Sequence, residues 1–270
     1  MRSKHSQAKL AKSNDQSEPR RCAAGICESR PHLDWKARFA LYRQREPNIT
    51  ASAVWSKVRG DIEADAEILA RRFYRKCAYC ESRPGHVSRP HVEHFRPKGL
   101  PRFECKMFDW DNWLLSCGIC NEEKWRHFPE EDGKPLLLNP AEEEPSAHVY
   151  FVGSRLRGLT KSGKKTVELV DLDRPLLRNE RESWLNVVCC LLLCWVESND
   201  ENVRQSCREN LIWTMQDDAP FAGMTRAYLG EKCPKLANPA TPHQRLEERN
   251  RVEQIRELVE QRVAFLEHLA

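Results

Sequence analysis

Two cysteine pairs, Cys77-Ala78-Tyr79-Cys80 and Cys117-Gly118-Ile119-Cys120, stand 36 residues apart in this 270-residue chain. Two residues between cysteines let both thiolates turn onto one ion, and two such pairs complete the tetrahedron that Zn²⁺ prefers. Four thiolates leave no coordination position open, so the expected zinc is structural. A redox dithiol would account for one pair but not for two.

The segment between the pairs carries a second kind of chemistry. It contains His91-Val92-Glu93-His94-Phe95-Arg96-Pro97-Lys98 and then Asp111-Asn112-Trp113-Leu114-Leu115-Ser116, with Asn121 directly after the last cysteine. A carboxylate at Glu93 holds a hard divalent cation, and the imidazole of His94 takes a proton from water near neutral pH. Asn121 offers a neutral oxygen as a second ligand. Such a set leaves most of the coordination sphere to waters and phosphate oxygens, which is how Mg²⁺ is usually held. Side chains alternate along a strand, so Glu93 and His94 serve one phosphate only if the strand ends or bulges there. Pro97 makes an ending the expectation. His91 alternates with Glu93 and is a weaker candidate ligand.

The order Cys-x2-Cys, Glu-His-Phe-x-Pro, Asn-Trp-Leu-Leu, Cys-x2-Cys-Asn-x2-Lys resembles the zinc-bearing HNH, or ββα-metal, endonucleases from about Cys77 to Phe128. In that family a two-stranded hairpin packs on a helix around one catalytic metal, Mg²⁺ or Mn²⁺. By position, His94 matches the general base and Glu93 the metal-binding acid, where Asp is more usual. Asn112 matches the middle Asn, whose amide fixes the loop that aims the base. Asn121 matches the last metal ligand, often His, and Lys124 a basic residue that follows on the helix. The resemblance implies hydrolysis of DNA phosphodiester bonds. A narrower likeness takes in Lys76 to Glu81, Val92 to Lys98, Trp110 to Lys124, Leu138-Asn139-Pro140 and Gly163 to Arg181. These resemble the HNH subunits of Septu-type and retron-associated anti-phage systems, which implies a partner ATPase of the ABC type.

The elements around this core must position it. Residues 1–33 are polar and basic and read as a flexible arm. Residues 34–75 turn helical, with Trp35, Phe39 and Tyr42 on one stripe and Ile62, Ala66, Leu69 and Phe73 on another. Residues 76–135 form the nuclease-like core, and 136–270 read as mainly helical, for core support or partner docking. Within that last region, His148–Val152 and Arg155–Gly158 fit a hairpin around Gly153-Ser154. A helix after Pro175 repeats Leu177, Trp184, Val188, Leu191 and Trp195, and a final one repeats Val252, Ile255, Val259, Val263 and Leu266. The expected fold class is α+β, mostly helical, with a ββα core and zinc knuckles flanked by N- and C-terminal helices.

Net charge is a mild +4, but residues 71–102 carry nine Lys or Arg against Glu81 and Glu93. A basic block beside the candidate chemistry suits a phosphate backbone, and an ordinary solvated face is the other reading. Arg96, Lys98 and Lys124 are the candidate phosphate contacts. The polar start of the chain lacks the apolar stretch of a signal peptide, and Val187 to Val196 is too short to span a bilayer. A cytoplasmic protein without a membrane span is therefore expected, and in that compartment closely spaced cysteines favour metal over disulfides. Of the twelve cysteines, Cys189, Cys190 and Cys194 read as core residues of an apolar helix, and Cys22, Cys27 and His32 as a weak second metal set. Trp110, Trp113 and Trp125 read as packing around the knuckles. Two rival functions stay open: a zinc-ribbon module that binds nucleic acid or a partner without cutting, and a nuclease of the same type acting on RNA or tRNA.

Overall fold

A computed structural model describes residues 35–64, 66–84 and 89–232. The basic arm, the Cys22, Cys27 and His32 set, and the final helix around Val252 lie outside those residues. Three helices come first, α1 (Trp35–Arg45), α2 (Ala51–Ala64) and α3 (Ala66–Arg72). Their apolar stripes meet in one cluster with Met107, Phe108, Trp113 and Leu115.

Strand β1 (His91–His94) pairs antiparallel with β2 (Trp113–Ser116), in the register His91–Ser116, Val92–Leu115, Glu93–Leu114, His94–Trp113. Helix α4 (Gly118–Lys124) follows β2 at once and packs against β1. All four residues of β2 are buried, because its alternating side chains enter different cores. Trp113 and Leu115 join the N-terminal helices, while Leu114 joins Phe95, Phe128 and Leu137.

A two-residue pair, β3 (Glu130–Glu131) with β4 (Lys134–Pro135), leads to the hairpin β5 (Val149–Val152) and β6 (Arg155–Gly158). Gly153 takes the left-handed φ of 58° that its turn requires. Helix α5 (Lys161–Leu169) starts on Thr160, whose hydroxyl accepts from the Gly163 N–H. Gly163 is needed there, since an added Cβ would run into the His148 carbonyl. Helices α6 (Pro175–Glu197), α7 (Glu201–Thr214) and α8 (Ala222–Lys232) complete the described chain. Pro175 opens α6 and Asp200 caps α7, accepting from the N–H groups of Asn202 and Val203.

The buried face of α6 is Leu177, Arg181, Leu185, Val188, Cys189 and Leu192. It shares Leu177 and Val188 with the expected stripe, whereas Trp184, Leu191 and Trp195 are only partly buried at its flank. Cys189 is a core residue as expected, but Cys190 and Cys194 are exposed. The helix is apolar nearly all round from Leu185 to Val196, so periodicity alone does not select its inner face. The architecture is mostly helical with small antiparallel hairpins. Among the described residues no helix is long and apolar enough to cross a membrane.

Candidate metal centre and candidate active site

The first knuckle is a tight turn. Cys77 N–H donates to the Ser82 carbonyl at 2.8 Å, Glu81 N–H donates to the Cys77 carbonyl at 2.9 Å, and Glu81 itself takes a left-handed φ of 61°. Ala78 N–H donates to the Leu115 carbonyl at 2.8 Å, which fixes the knuckle on β2. The second knuckle is the start of α4, where Cys117 occupies the N-cap and its sulfur accepts from Cys120 N–H. The four Sγ atoms lie within 4.8 Å of one another, with Cys80 and Cys117 at 3.9 Å. A tetrahedron with Zn–S bonds of about 2.3 Å needs sulfurs about 3.8 Å apart, so the donor set fits that ion.

The sulfurs also have outer partners. Both terminal nitrogens of Arg174 stand 3.6 Å from Cys120 Sγ, and the Ser82 hydroxyl is 3.4 Å from Cys80 Sγ. Burial pushes the Cys77 thiol up, whereas hydrogen bonding from Cys120 brings the Cys117 thiol down to about 7. Burial opposes the charge of Arg174, yet the Cys120 sulfur beside it holds the guanidinium above its ordinary value. N–H groups aimed at a sulfur favour its thiolate form, the form that binds metal.

The strand does end at the candidate base. Glu93 and His94 are the last two residues of β1, both buried, and they turn to different neighbours. His94 Nε2 lies 2.8 Å from the Met107 carbonyl. A carbonyl only accepts, so Nε2 carries the proton and Nδ1 keeps the lone pair. The ring packs edge-on to Trp55, with centroids 4.7 Å apart, and tilts against Trp113. Burial pushes the imidazole down to about 3, with the charges of Lys98 and Lys124 adding to the effect and the Met107 carbonyl opposing it. The ring is therefore neutral near pH 7.

Asn112 is a clamp. Its Oδ1 accepts from Arg96 N–H at 2.7 Å, while Nδ2 donates to the carbonyls of Arg96 and Lys106, each at 3.0 Å. One buried amide thus ties together both sides of the loop between β1 and β2. The same loop delivers the Met107 carbonyl to His94 and to Trp113 Nε1, which donates to it at 2.8 Å. The amide and the imidazole are coupled through that loop.

Glu93 points at α4, where Lys124 Nζ stands 2.5 Å from its Oε1. Burial raises the carboxyl above its ordinary value, and the Lys124 ammonium and the His94 N–H pull the other way. Lys124 is 0% exposed and also donates to the His94 carbonyl at 2.9 Å. Its ammonium is turned inward, away from any surface phosphate. Asn121 is half-buried on the first turn of α4, its N–H donating to the Cys117 carbonyl. Arg96 and Lys98 are half-buried at the loop, with the Lys98 ammonium 4.1 Å over the Trp55 ring. His91 is exposed.

Some participants had no sequence signal. The Met107 contact is a backbone carbonyl, which any residue type supplies. Arg174 lies 54 positions from the sulfur it touches. Trp55 reads in sequence as core and does pack there, but it also forms one wall of His94. Trp113 is buried and Trp110 partly so, as packing requires, whereas Trp125 is 61% exposed. Trp125 follows α4 as its C-cap, with φ 38° and ψ −117° and its N–H donating to the Asn121 carbonyl.

Fold and site together define a mostly helical protein with small hairpins and a buried four-cysteine cluster able to hold zinc. No protein-family model matches the chain, and no solved structure matches it. Two relatives do. The chain is 34% identical over 147 residues to the Septu protein PtuB of Bacillus mycoides (strain KBAB4), covering 44% of this chain and 50% of that protein. It is 35% identical over 100 residues to the Septu protein PtuB of Bacillus thuringiensis, covering 37% of each. The chain is thus similar to Septu PtuB proteins, spanning half the length of the first and about a third of the second.

Proposed function

We propose that the chain is an HNH-type endonuclease that hydrolyses DNA phosphodiester bonds as the nuclease component of an anti-phage defence complex with an ABC-type ATPase. The observation that carries this is the setting of His94. A buried neutral imidazole, its Nε2 held by the Met107 carbonyl, keeps Nδ1 as a proton acceptor at the end of β1, next in sequence to a buried carboxylate. Asn112 supports the reading because it makes the loop-tying contacts that the family resemblance implies. The strand–strand–helix order of β1, β2 and α4 is the arrangement expected of a ββα core.

In this reading His94 Nδ1 takes a proton from the attacking water, and the Met107 carbonyl steadies the imidazolium that forms. The low proton affinity of the buried ring rises when an anionic phosphate sits beside it. Glu93 and Asn121 would hold Mg²⁺ or Mn²⁺. Glu93 would offer the carboxylate oxygen that Lys124 does not hold, the ammonium standing at Oε1. A divalent ion held there would supply polarisation of the phosphoryl oxygen and charge for the leaving oxygen. The four cysteines would hold zinc as a staple. Arg96 and Lys98 flank the loop and are the proposed phosphate contacts, while Lys124 acts from inside. The similarity to Septu PtuB proteins supports the defence setting and the partner.

A second reading has one observation in its favour: Glu93 already has a cationic partner in Lys124, as a non-catalytic zinc-ribbon module would allow. Supercoiled plasmid incubated with Mn²⁺, the chain and its partner ATPase separates the two. His94→Ala should lower the nicking rate about 10²- to 10⁴-fold, the usual contribution of a general base, with zinc content unchanged. A native rate in that variant removes His94 from the mechanism. Parallel incubation with tRNA decides between DNA and RNA as substrate.

A further inference from the structure

Lys124 is the last residue of α4, fully buried, and its ammonium meets Glu93 Oε1 at 2.5 Å and the His94 carbonyl at 2.9 Å. Lysine is almost never fully buried unless paired. Inside a protein an ion pair interacts far more strongly than in water, and each charge depends on the other. Glu93 Oε1 has no hydrogen bond beyond this contact, so the ammonium stands where a small cation would otherwise sit against that oxygen.

On the reading of Glu93 as a metal ligand, we propose that Lys124 is the resident counter-cation of the site: it holds Oε1, leaves one carboxylate oxygen to a divalent ion, and keeps that ion weakly bound until a phosphodiester arrives. The electrostatics are direct. A carboxylate already neutralised by an ammonium attracts a second cation poorly, and the ammonium repels that cation across the shared group. An incoming phosphate restores the missing negative charge and supplies oxygens, the ligands Mg²⁺ usually takes from substrate. Lys124 is in this sense a positioning residue, acting on the metal through Glu93. Metal and nucleic acid then load together rather than in sequence.

Calorimetric titration of Mn²⁺ into the zinc-loaded full chain, without nucleic acid, reads the effect apart from activity. Lys124→Gln removes the charge while keeping a donor for Glu93 and the His94 carbonyl, and it should bind Mn²⁺ at least tenfold more tightly than wild type. Lys124→Arg keeps the charge and should bind as weakly as wild type. Glu93→Gln should lose the site in either background. Lys124→Met strands a buried carboxylate, so its thermal midpoint should rise more with Mn²⁺ than that of wild type, since a ligand stabilises the state that binds it. Mn²⁺ binding that is the same in wild type and Glu93→Gln overturns the metal-ligand reading, and the counter-cation with it. Glu93-dependent binding that is no tighter in Lys124→Gln overturns the counter-cation role alone.

Discussion

The cysteine cluster and the His94 imidazole sit in different cores, and they are built on opposite plans. Four soft ligands close the cluster, and it sinks into a core with Leu156, Val170, Leu172, Leu177, Leu185, Phe221 and Met224 from the C-terminal half. His94 rests against Trp55 and Trp113 of the N-terminal core, while Glu93 turns to Lys124 on α4. Zinc on four sulfurs would have no open position, as a staple requires, whereas on the proposed function the Glu93–His94 corner keeps most positions open for chemistry. The difference teaches that the segment 77–124 is shared among cores: β2 gives Trp113 and Leu115 to the N-terminal cluster and Leu114 to that of Phe95, while the cysteines join the C-terminal one.

The largest expected effect breaks the staple. Cys80→Ser, or prolonged chelation of the wild type, should abolish cooperative thermal unfolding followed by circular dichroism. A structural zinc site contributes about 10 kcal/mol or more, comparable with the whole stability of a domain. Glu93→Gln, by contrast, should leave a single cooperative transition in place.

A smaller effect tests the clamp. Asn112→Ala strands the Arg96 N–H and the carbonyls of Arg96 and Lys106. Loss of about 3 kcal/mol is expected in urea denaturation, with Asn112→Asp, which keeps the acceptor, losing less. If the alanine variant is as stable as wild type, the loop is held by something other than this amide.

The smallest effect is set by pH. His94 has a folded value of about 3, below its ordinary value of 6.5. Between those values the unfolded chain binds a proton at this position and the folded chain does not. Stability from this group is therefore complete above 6.5 and is lost as pH falls toward 3. By pH 5 the loss is about 2 kcal/mol. Subtracting the urea stability curve of His94→Gln from that of wild type isolates it, and a flat difference would show that the ring is not shielded as described.

The cysteine cluster was legible because a knuckle depends on residue type at short spacing, and the four sulfurs do converge. The roles of Glu93, His94, Asn112 and Asn121 rest on the family resemblance and belong to the proposed function. The family resemblance makes Lys124 a candidate phosphate contact, but the packing of α4 on β1 turns its ammonium inward. Trp125, expected to pack around the knuckles, is exposed at the C-cap of α4. The inner face of α6 was half legible, as apolar residues surround that helix and its neighbours decide which are covered. Arg174 was not legible at all, because it reaches a sulfur through the fold rather than along the chain.

The first knuckle is tied down by residues that follow it by a long way. Lys76 Nζ donates to the Ala219 carbonyl at 3.0 Å across 143 positions, and Glu81 Oε2 accepts from Gly223 N–H at 3.0 Å. During synthesis both cysteine pairs leave the ribosome well before these anchors exist. An ion captured at that stage would meet the cluster before Phe221 and Met224 pack into its core.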